Sequence, residues 1–204
     1  MYIVGIVGGP CSGKTKCLPL VYDRLKEMGY IPFIIQETAT EVAYSGIKPN
    51  TVVSMQMFQR IILQMQLQKE NLFISELQNE IPNEKIIILC DRTALDGLLY
   101  LYDDLFEEEA EKCGSSIAEL FDRYDCIIHL STVALTNPEK YANKDDTGNV
   151  NKARRENLEE AIAVDKKSRG LFSQHYNFHI IESKEKVSEK VDEIIEIIEK
   201  EVNI

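Results

Sequence analysis

The feature that most constrains this chain is a glycine-rich segment near its start. Residues 8–15 read GGPCSGKT, so Gly8 is followed by four residues and then by Gly13, Lys14 and Thr15. Glycines let the backbone turn tightly, so that successive N–H groups point at one place and surround phosphate oxygens. At this spacing the lysine can reach the β- and γ-phosphates, and the threonine can offer its hydroxyl to Mg²⁺. The spacing predicts a phosphate-binding P-loop.

The residues on either side of this segment favour the same interpretation. Residues 2–7 form a short apolar run typical of a buried strand, and residues 14–28 carry apolar side chains at helical spacing. A helix that opens at Lys14 adds its N-terminal dipole to the attraction for anions. The predicted binding residues for a nucleoside triphosphate are Gly8, Gly9, Pro10, Cys11, Ser12, Gly13, Lys14, Thr15 and Lys16.

Size, charge and cysteines limit the classes of protein to consider. The chain has 204 residues, which suits one domain over 1–204, and a net charge of −11. Such an acidic chain is poorly suited to binding nucleic acid or an anionic membrane, so we expect neither partner. Five scattered cysteines without a CxxC pair, no leader segment and no long apolar run predict a cytoplasmic location. A homodimer is possible, but the sequence does not indicate the oligomeric state.

Strand patterns alternate with helical patterns along the whole chain. Apolar runs at 31–36, 85–91, 125–131 and 177–182 follow the first strand. Helical spacing occupies 55–79, 93–102, 151–174 and 187–202, the acidic stretch 103–111 reads as a solvated face, and the polar region 132–156 reads as a mobile lid. This alternation predicts an α/β fold with a five-stranded, mainly parallel sheet and helices on both faces.

In such a sheet, ligands bind where the parallel strands end. Asp91 ends an apolar strand, as expected of an acid that holds Mg²⁺ together with Thr15, although it could instead cap the next segment. Glu37 ends the second strand and could accept a proton from a substrate hydroxyl, or merely cap the following turn.

Arginines near these strand ends are further candidates for catalysis. Arg92 could face bound substrate or phosphate, or pair with a surface acid. Arg154 and Arg155 lie at the start of the predicted helix 151–174, after the polar loop 132–150, so closure of the lid could bring one onto the transferring phosphoryl group. The alternative is a solvent-facing pair matched to neighbouring glutamates.

With these residues placed, the sequence resembles P-loop kinases of the nucleoside and nucleoside-monophosphate type. It resembles more closely the AAA-type ATPases grouped with the nicotinamide-riboside kinase domain of NadR-type proteins. The similarity rests on GGPCSGKT at 8–15, QETATEV at 36–42, GIKP at 46–49, MFQRIILQMQLQKE at 57–70 and CDRTALDGLLY at 90–100. It continues more loosely through RRE at 154–156 and YNFHII at 176–181.

The resemblance implies a kinase-like strand order, 2-3-1-4-5, and assigns roles to particular residues. By similarity to deoxynucleoside kinases, Glu37 is the catalytic base, and Gln59 reads the substrate base. Thr38 and Arg92 join them in binding substrate, and a lid arginine comes from Arg154 or Arg155. The chain departs from many relatives at Thr93, where they carry glycine.

These observations lead to one function and one rival. The predicted function is an ATP- and Mg²⁺-dependent phosphotransferase that acts on a small hydroxylated metabolite such as a nucleoside, with Lys14, Glu37, Asp91 and a lid arginine as catalytic residues. The rival is a nucleotide-dependent ATPase switch that acts through a protein partner. ATP rather than GTP is implied by the resemblance alone.

Overall fold

The computed structural model describes residues 1–80, 85–139, 141 and 157–202. In this part of the chain, five strands form one sheet in the order β2-β3-β1-β4-β5, and every neighbouring pair is parallel. The strands are β1 (Tyr2–Val7), β2 (Ile31–Ile35), β3 (Ile86–Asp91), β4 (Cys126–Leu130) and β5 (Phe178–Ile181). The predicted fold class and strand order are therefore confirmed.

Helices follow most of the strands, as crossover connections between parallel strands require. The helices are α1 (Lys14–Glu27), α2 (Thr38–Tyr44), α3 (Met55–Glu80), α4 (Asp103–Lys112), α5 (Ile117–Phe121), α6 (Val133–Thr136), α7 (Leu158–Phe172) and α8 (Val187–Val202), with a 3₁₀ turn at Asp96–Leu99. Several begin with side-chain caps. Ser116 and Asn157 each form a reciprocal capping box with the glutamate three residues later.

The two faces of the sheet are covered by different helices. Ile86, Ile88 and Cys90 of β3 pack in a cluster with residues of α3, α4, α5 and α7, whereas Ile87 and Leu89 pack with α1 and α8. All six residues of β3 are buried. The uninterrupted apolar run of this strand follows from burial on both faces.

Two local predictions were wrong. The stretch 93–102 is not one helix, because Asp96 accepts hydrogen bonds from Thr93 N and Thr93 Oγ1, both at 2.8 Å, and only the 3₁₀ turn forms. The prediction of a solvated face at 103–111 is wrong at Glu109, which is only 1% exposed, although Asp103, Asp104, Glu108 and Glu111 of the same helix are exposed. The predicted lid at 132–156 lies mostly outside the described residues.

The strand order places the chemistry at one edge. β1 lies between β3 and β4, so the chain order reverses beside it, which is where ligands bind in open α/β sheets. Gly8, Arg92 and Ser131 are the first residues after β1, β3 and β4, and Asp91 is the last residue of β3. Glu37 lies two residues after the end of β2. The predicted site residues at these strand ends therefore meet at the same edge.

Candidate active site

The loop between β1 and α1 has the backbone conformation that the P-loop motif predicts. Gly8, Cys11 and Gly13 all have positive φ, at 141°, 59° and 92°. A Cβ atom on Gly8 would lie 2.2 Å from the carbonyl oxygen of Leu130, so only glycine fits there. Gly13 is the N-cap of α1 and has no side chain that could accept a hydrogen bond from the N–H groups of the first helical turn. Those N–H groups remain suited to an anion.

The ammonium group of Lys14 lies within the loop. Its Nζ donates to the carbonyl oxygens of Gly8 at 2.9 Å and Gly9 at 3.3 Å, and to Ser12 Oγ at 3.0 Å. Burial lowers the pKa of Lys14 to about 8, with the positive charge of Arg92 acting in the same direction and Asp91 opposing it. Thr15 and Lys16, which follow, are exposed.

Glu37 and Arg92 form the centre of the second half of the site. Arg92 donates from Nε to Glu37 Oε1 at 2.5 Å and from Nη1 to Asp96 Oδ1 at 3.1 Å. Thr40 Oγ1 donates to the other oxygen of Glu37 at 2.7 Å. Burial opposes ionisation of Glu37, but Arg92 and these hydrogen bonds outweigh it and lower its pKa. Glu37 is therefore held as a carboxylate.

Arg92 also joins this pair to the P-loop. Its Nη1 lies 3.5 Å from the carbonyl oxygen of Gly8, the same oxygen that accepts from Lys14. The backbone of Arg92 is left-handed, with φ of 74°, which costs a non-glycine residue about 1–3 kcal/mol. Strain of this kind persists where the surrounding contacts fix the conformation, as Glu37 and Asp96 do here.

A cavity of about 280 Å³ opens beside Glu37 and Arg92. Its polar lining includes Glu37, Thr38, Gln59, Gln66, Arg92, Thr93 and Asp96, and its apolar lining includes Met55, Phe58 and Ile62. Gln59 is 5% exposed and Thr38 is 2% exposed. A mixed lining of this kind suits a small molecule with an apolar body and several polar groups. All four residues predicted to bind substrate line this cavity.

Comparison with known proteins identifies the family. The family model described as "AAA domain" matches residues 3–190, which is most of the chain. The chain belongs to this family. AAA domains of this kind are P-loop NTPase domains, so the protein is a nucleotide-binding P-loop protein. A search of curated proteins gives no match.

The donors in this AAA domain fit a magnesium ion bound with a nucleotide. Asp91 is 7% exposed, and its Oδ1 is buried without a hydrogen-bond partner among the described residues. Burial raises the pKa of Asp91, Glu37 adds to the increase, and Lys14 opposes it. Mg²⁺ prefers oxygen ligands and keeps several waters, so one carboxylate and the Thr15 hydroxyl suffice beside phosphate oxygens. Within the same residues, no three His, Cys, Asp or Glu side chains form a cluster that could hold a metal alone.

Two charged residues that the sequence analysis did not identify form hydrogen bonds with the backbone of the P-loop, one from α7 and one from α8. Asp165 of α7 is fully buried, and its Oδ1 accepts from Gly9 N at 3.2 Å and from Thr132 N at 2.9 Å. Lys190 of α8 donates to the carbonyl oxygen of Ser12 at 2.7 Å. Both lie within charged helices, and their only sequence signal is a position on the helix face that packs inward.

The remaining predicted site residues either contact another part of the fold or lie outside the described residues. The carbonyl oxygen of Pro10 accepts from Thr132 Oγ1 at 2.5 Å, which ties the P-loop to the end of β4. Arg154 and Arg155 are not among the described residues, so their predicted role at the phosphates stays a prediction.

Over the described residues, no helix is both long enough and apolar enough to cross a membrane.

Proposed function

We propose that this AAA-family domain is an ATP- and Mg²⁺-dependent phosphotransferase that transfers the γ-phosphoryl group to a hydroxyl of a small metabolite such as a nucleoside. The observation that carries the proposal is the position of the cavity. Arg92 lines it, contacts Gly8 of the P-loop, and pairs with the carboxylate of Glu37. A hydroxyl held there would lie between a proton acceptor and the triphosphate.

The proposed roles follow from the chemistry of each group. The P-loop N–H groups and Lys14 hold the phosphates, while Thr15 and Asp91 hold the metal, which neutralises charge when bound. Arg92 and Gln59 orient the acceptor. The acceptor oxygen forms a bond to the γ-phosphorus, its proton passes to Glu37, and the bond from phosphorus to the β–γ bridging oxygen breaks to release ADP.

The lowered pKa of Glu37 is compatible with its proposed role. Phosphoryl transfer passes through a loose transition state, in which the attacking oxygen has gained little bonding to phosphorus. The hydroxyl proton is then lost late, and a weak base that is fully ionised and correctly placed is sufficient. Positioning and charge neutralisation supply most of the rate.

The test is ADP release from ATP and Mg²⁺ with pooled nucleosides, compared with water alone as acceptor. We expect one pool to raise turnover well above the water rate, and phosphorylated product to appear in that pool. A slow rate that no pool changes would contradict the proposal and favour the ATPase switch, whose partner would then be sought among proteins.

A further inference from the structure

One buried carboxylate lies behind the cavity without lining it. Glu70 of α3 is 2% exposed and accepts hydrogen bonds from three side chains. Gln66 Nε2 and Tyr124 Oη donate to its Oε1 at 2.9 and 2.8 Å, and Arg123 Nε donates to its Oε2 at 2.8 Å. A buried carboxylate is tolerated only when it is paired and hydrogen-bonded, and both conditions are met here.

One chain of hydrogen bonds from Glu70, the first arm of this network, reaches the turn after β2. Thr38 Oγ1 donates to Gln66 Oε1, while the amide nitrogen of Gln66 donates to Glu70. Thr38 is the first residue of α2 and directly follows Glu37. The orientation of the Gln66 amide therefore depends on an acceptor at position 70, and the position of Thr38 depends on that orientation.

The second arm reaches the turn after β3. Ala94 N donates to Tyr124 Oη at 2.7 Å, and that hydroxyl donates in turn to Glu70. Ala94 lies between Arg92 and Asp96, which both line the cavity. Through its Oε1, Glu70 therefore accepts from both arms, one leading to the turn that carries Glu37 and the other to the turn that carries Arg92.

We propose that Glu70 is a positioning residue for the acceptor, an inference that rests on the proposed phosphotransfer. Glu70 does not line the cavity and would act through other residues. It holds the two turns that carry Glu37 and Arg92 at the separation needed to bind and align the acceptor hydroxyl. The P-loop is supported by different residues, Asp165 and Lys190, so loss of Glu70 affects the acceptor side and spares the ATP side.

The central test compares Glu70→Gln with Glu109→Gln. Glu109 is equally buried, at 1% exposure, and accepts from Gln56, Arg60 and Lys112, none of which lines the cavity. It is therefore a matched control for loss of a buried negative charge. The measured quantities are the KM for ATP, the KM for the pooled nucleoside that gives the highest turnover, and kcat.

We expect Glu70→Gln to raise the nucleoside KM by about 10-fold or more, the equivalent of one hydrogen bond to a charged group, with the KM for ATP nearly unchanged. Glu109→Gln is expected to change neither KM. Equal increases in both KM values, no increase in either, or the same increase in the control would overturn the proposal.

A second substitution tests the mechanism. In Glu70→Gln, Arg123 is expected to attract the new carbonyl oxygen and turn the new amide hydrogens toward Gln66 and Tyr124, both of which donate to position 70 in wild type. Adding Arg123→Met removes that attraction and lets the carbonyl face both arms again. We expect the double variant to recover much of the nucleoside KM. A double variant no better than the single one would contradict the role of the hydrogen-bond arms.

Amide hydrogen exchange separates failure of this inference from failure of the proposed function. In Glu70→Gln, exchange is expected to be faster across residues 37–44 and 92–96, and at Ala94 in particular, than in wild type or Glu109→Gln. Unchanged exchange would overturn the positioning role whatever the activity. Faster exchange in a protein that phosphorylates no nucleoside would show that Glu70 holds the two turns in place and would count against the phosphotransferase.

Discussion

Arg92 Nε lies 2.5 Å from Glu37 Oε1, so the residues that follow β3 and β2 form an ion pair across the edge of the sheet. The pair is partly buried, with 20% and 31% of the two side chains exposed. Arg92 fixes the direction of the Glu37 carboxylate and lowers its pKa, while Asp96 fixes Arg92 from the other side. Substitution of either member of the pair is therefore expected to alter the other.

The first prediction concerns Glu37 as the proton acceptor. Glu37→Gln keeps the shape of the side chain and removes the base, so turnover is expected to fall by about 10²–10⁴ with ATP affinity almost unchanged. Steady-state kinetics together with titration of a non-hydrolysable ATP analogue measure the two effects. Glu41→Gln is the control, since Glu41 pairs with Lys69 on the exposed side of α2. An equal loss of ATP binding in Glu37→Gln would count against its assignment as the base.

The second prediction is a shift in pH dependence when Arg92 is removed. Arg92 holds the pKa of Glu37 below its ordinary value of 4.5, so wild-type activity is expected to persist to low pH before Glu37 is protonated. Arg92→Met removes that charge and leaves the burial, so the acid limb of kcat is expected to move to higher pH. A limb that does not move, with kcat measurable, would indicate that a different group titrates.

The second prediction extends to protein stability, because the pKa of Glu37 also makes the free energy of unfolding depend on pH. The pKa of Glu37 is lower in the folded protein than in the unfolded chain, so the unfolded chain binds the proton first as pH falls. The contribution of the pair is therefore present above pH 4.5 and is lost as pH falls through the lower folded pKa. The difference in Tm between wild type and Arg92→Met should therefore become smaller below that point, which calorimetry can check.

The parts of the site that were predicted from sequence are those encoded by local pattern. The spacing of Gly8, Gly13, Lys14 and Thr15 defines the loop, and an apolar run that ends on Asp91 defines β3. Each of these signals is contained within a few consecutive residues. Parallel strands then bring their C-terminal ends together, which is why distant residues such as Glu37 and Arg92 were expected at one edge.

Contacts made across the fold could not be predicted in this way. Glu109 belongs to an acidic run that looks solvated, yet it is buried because Gln56, Arg60 and Lys112 all approach it. Asp165 likewise lies in a charged helix. Which charged side chain of a helix turns inward depends on partners that are far away in sequence, and a single sequence does not pair them.

The third prediction concerns Lys14 and the triphosphate. Lys14→Met is expected to weaken ATP binding by about 10- to 100-fold, because a charge-assisted hydrogen bond contributes about 1.5–3 kcal/mol. In wild type the affinity for the fully ionised triphosphate should fall as pH rises above about 8, since Lys14 loses its proton there and the phosphates prefer the ammonium form. Titration of an ATP analogue on both sides of pH 8 measures this. Lys26→Met, at an exposed position on α1, should bind as wild type does.

The fourth prediction compares two glycines. Gly8→Ala puts a Cβ 2.2 Å from the Leu130 carbonyl oxygen at a φ of 141°, so the free energy of unfolding should fall by about 1–3 kcal/mol or more and nucleotide binding should be lost. Gly170→Ala lies within α7 with no atom near the new methyl group. It should stabilise the protein by about 0.5–1 kcal/mol. Urea unfolding compares the two, and a stable Gly8→Ala protein that still binds nucleotide would contradict the close approach.

The fifth prediction concerns Asp165, which holds Gly9 and Thr132 together through one oxygen. Asp165→Ala leaves two buried N–H groups unpaired, at a cost of about 1–3 kcal/mol each, whereas Asp165→Asn keeps an oxygen acceptor and should be milder. Because Gly9 lies in the P-loop, we expect ATP affinity to fall with stability in that same order. Lys166→Ala, at the next and exposed position, should change the free energy of unfolding by less than about 0.5 kcal/mol. An Asp165→Ala protein with full ATP affinity would show that α7 does not support the loop.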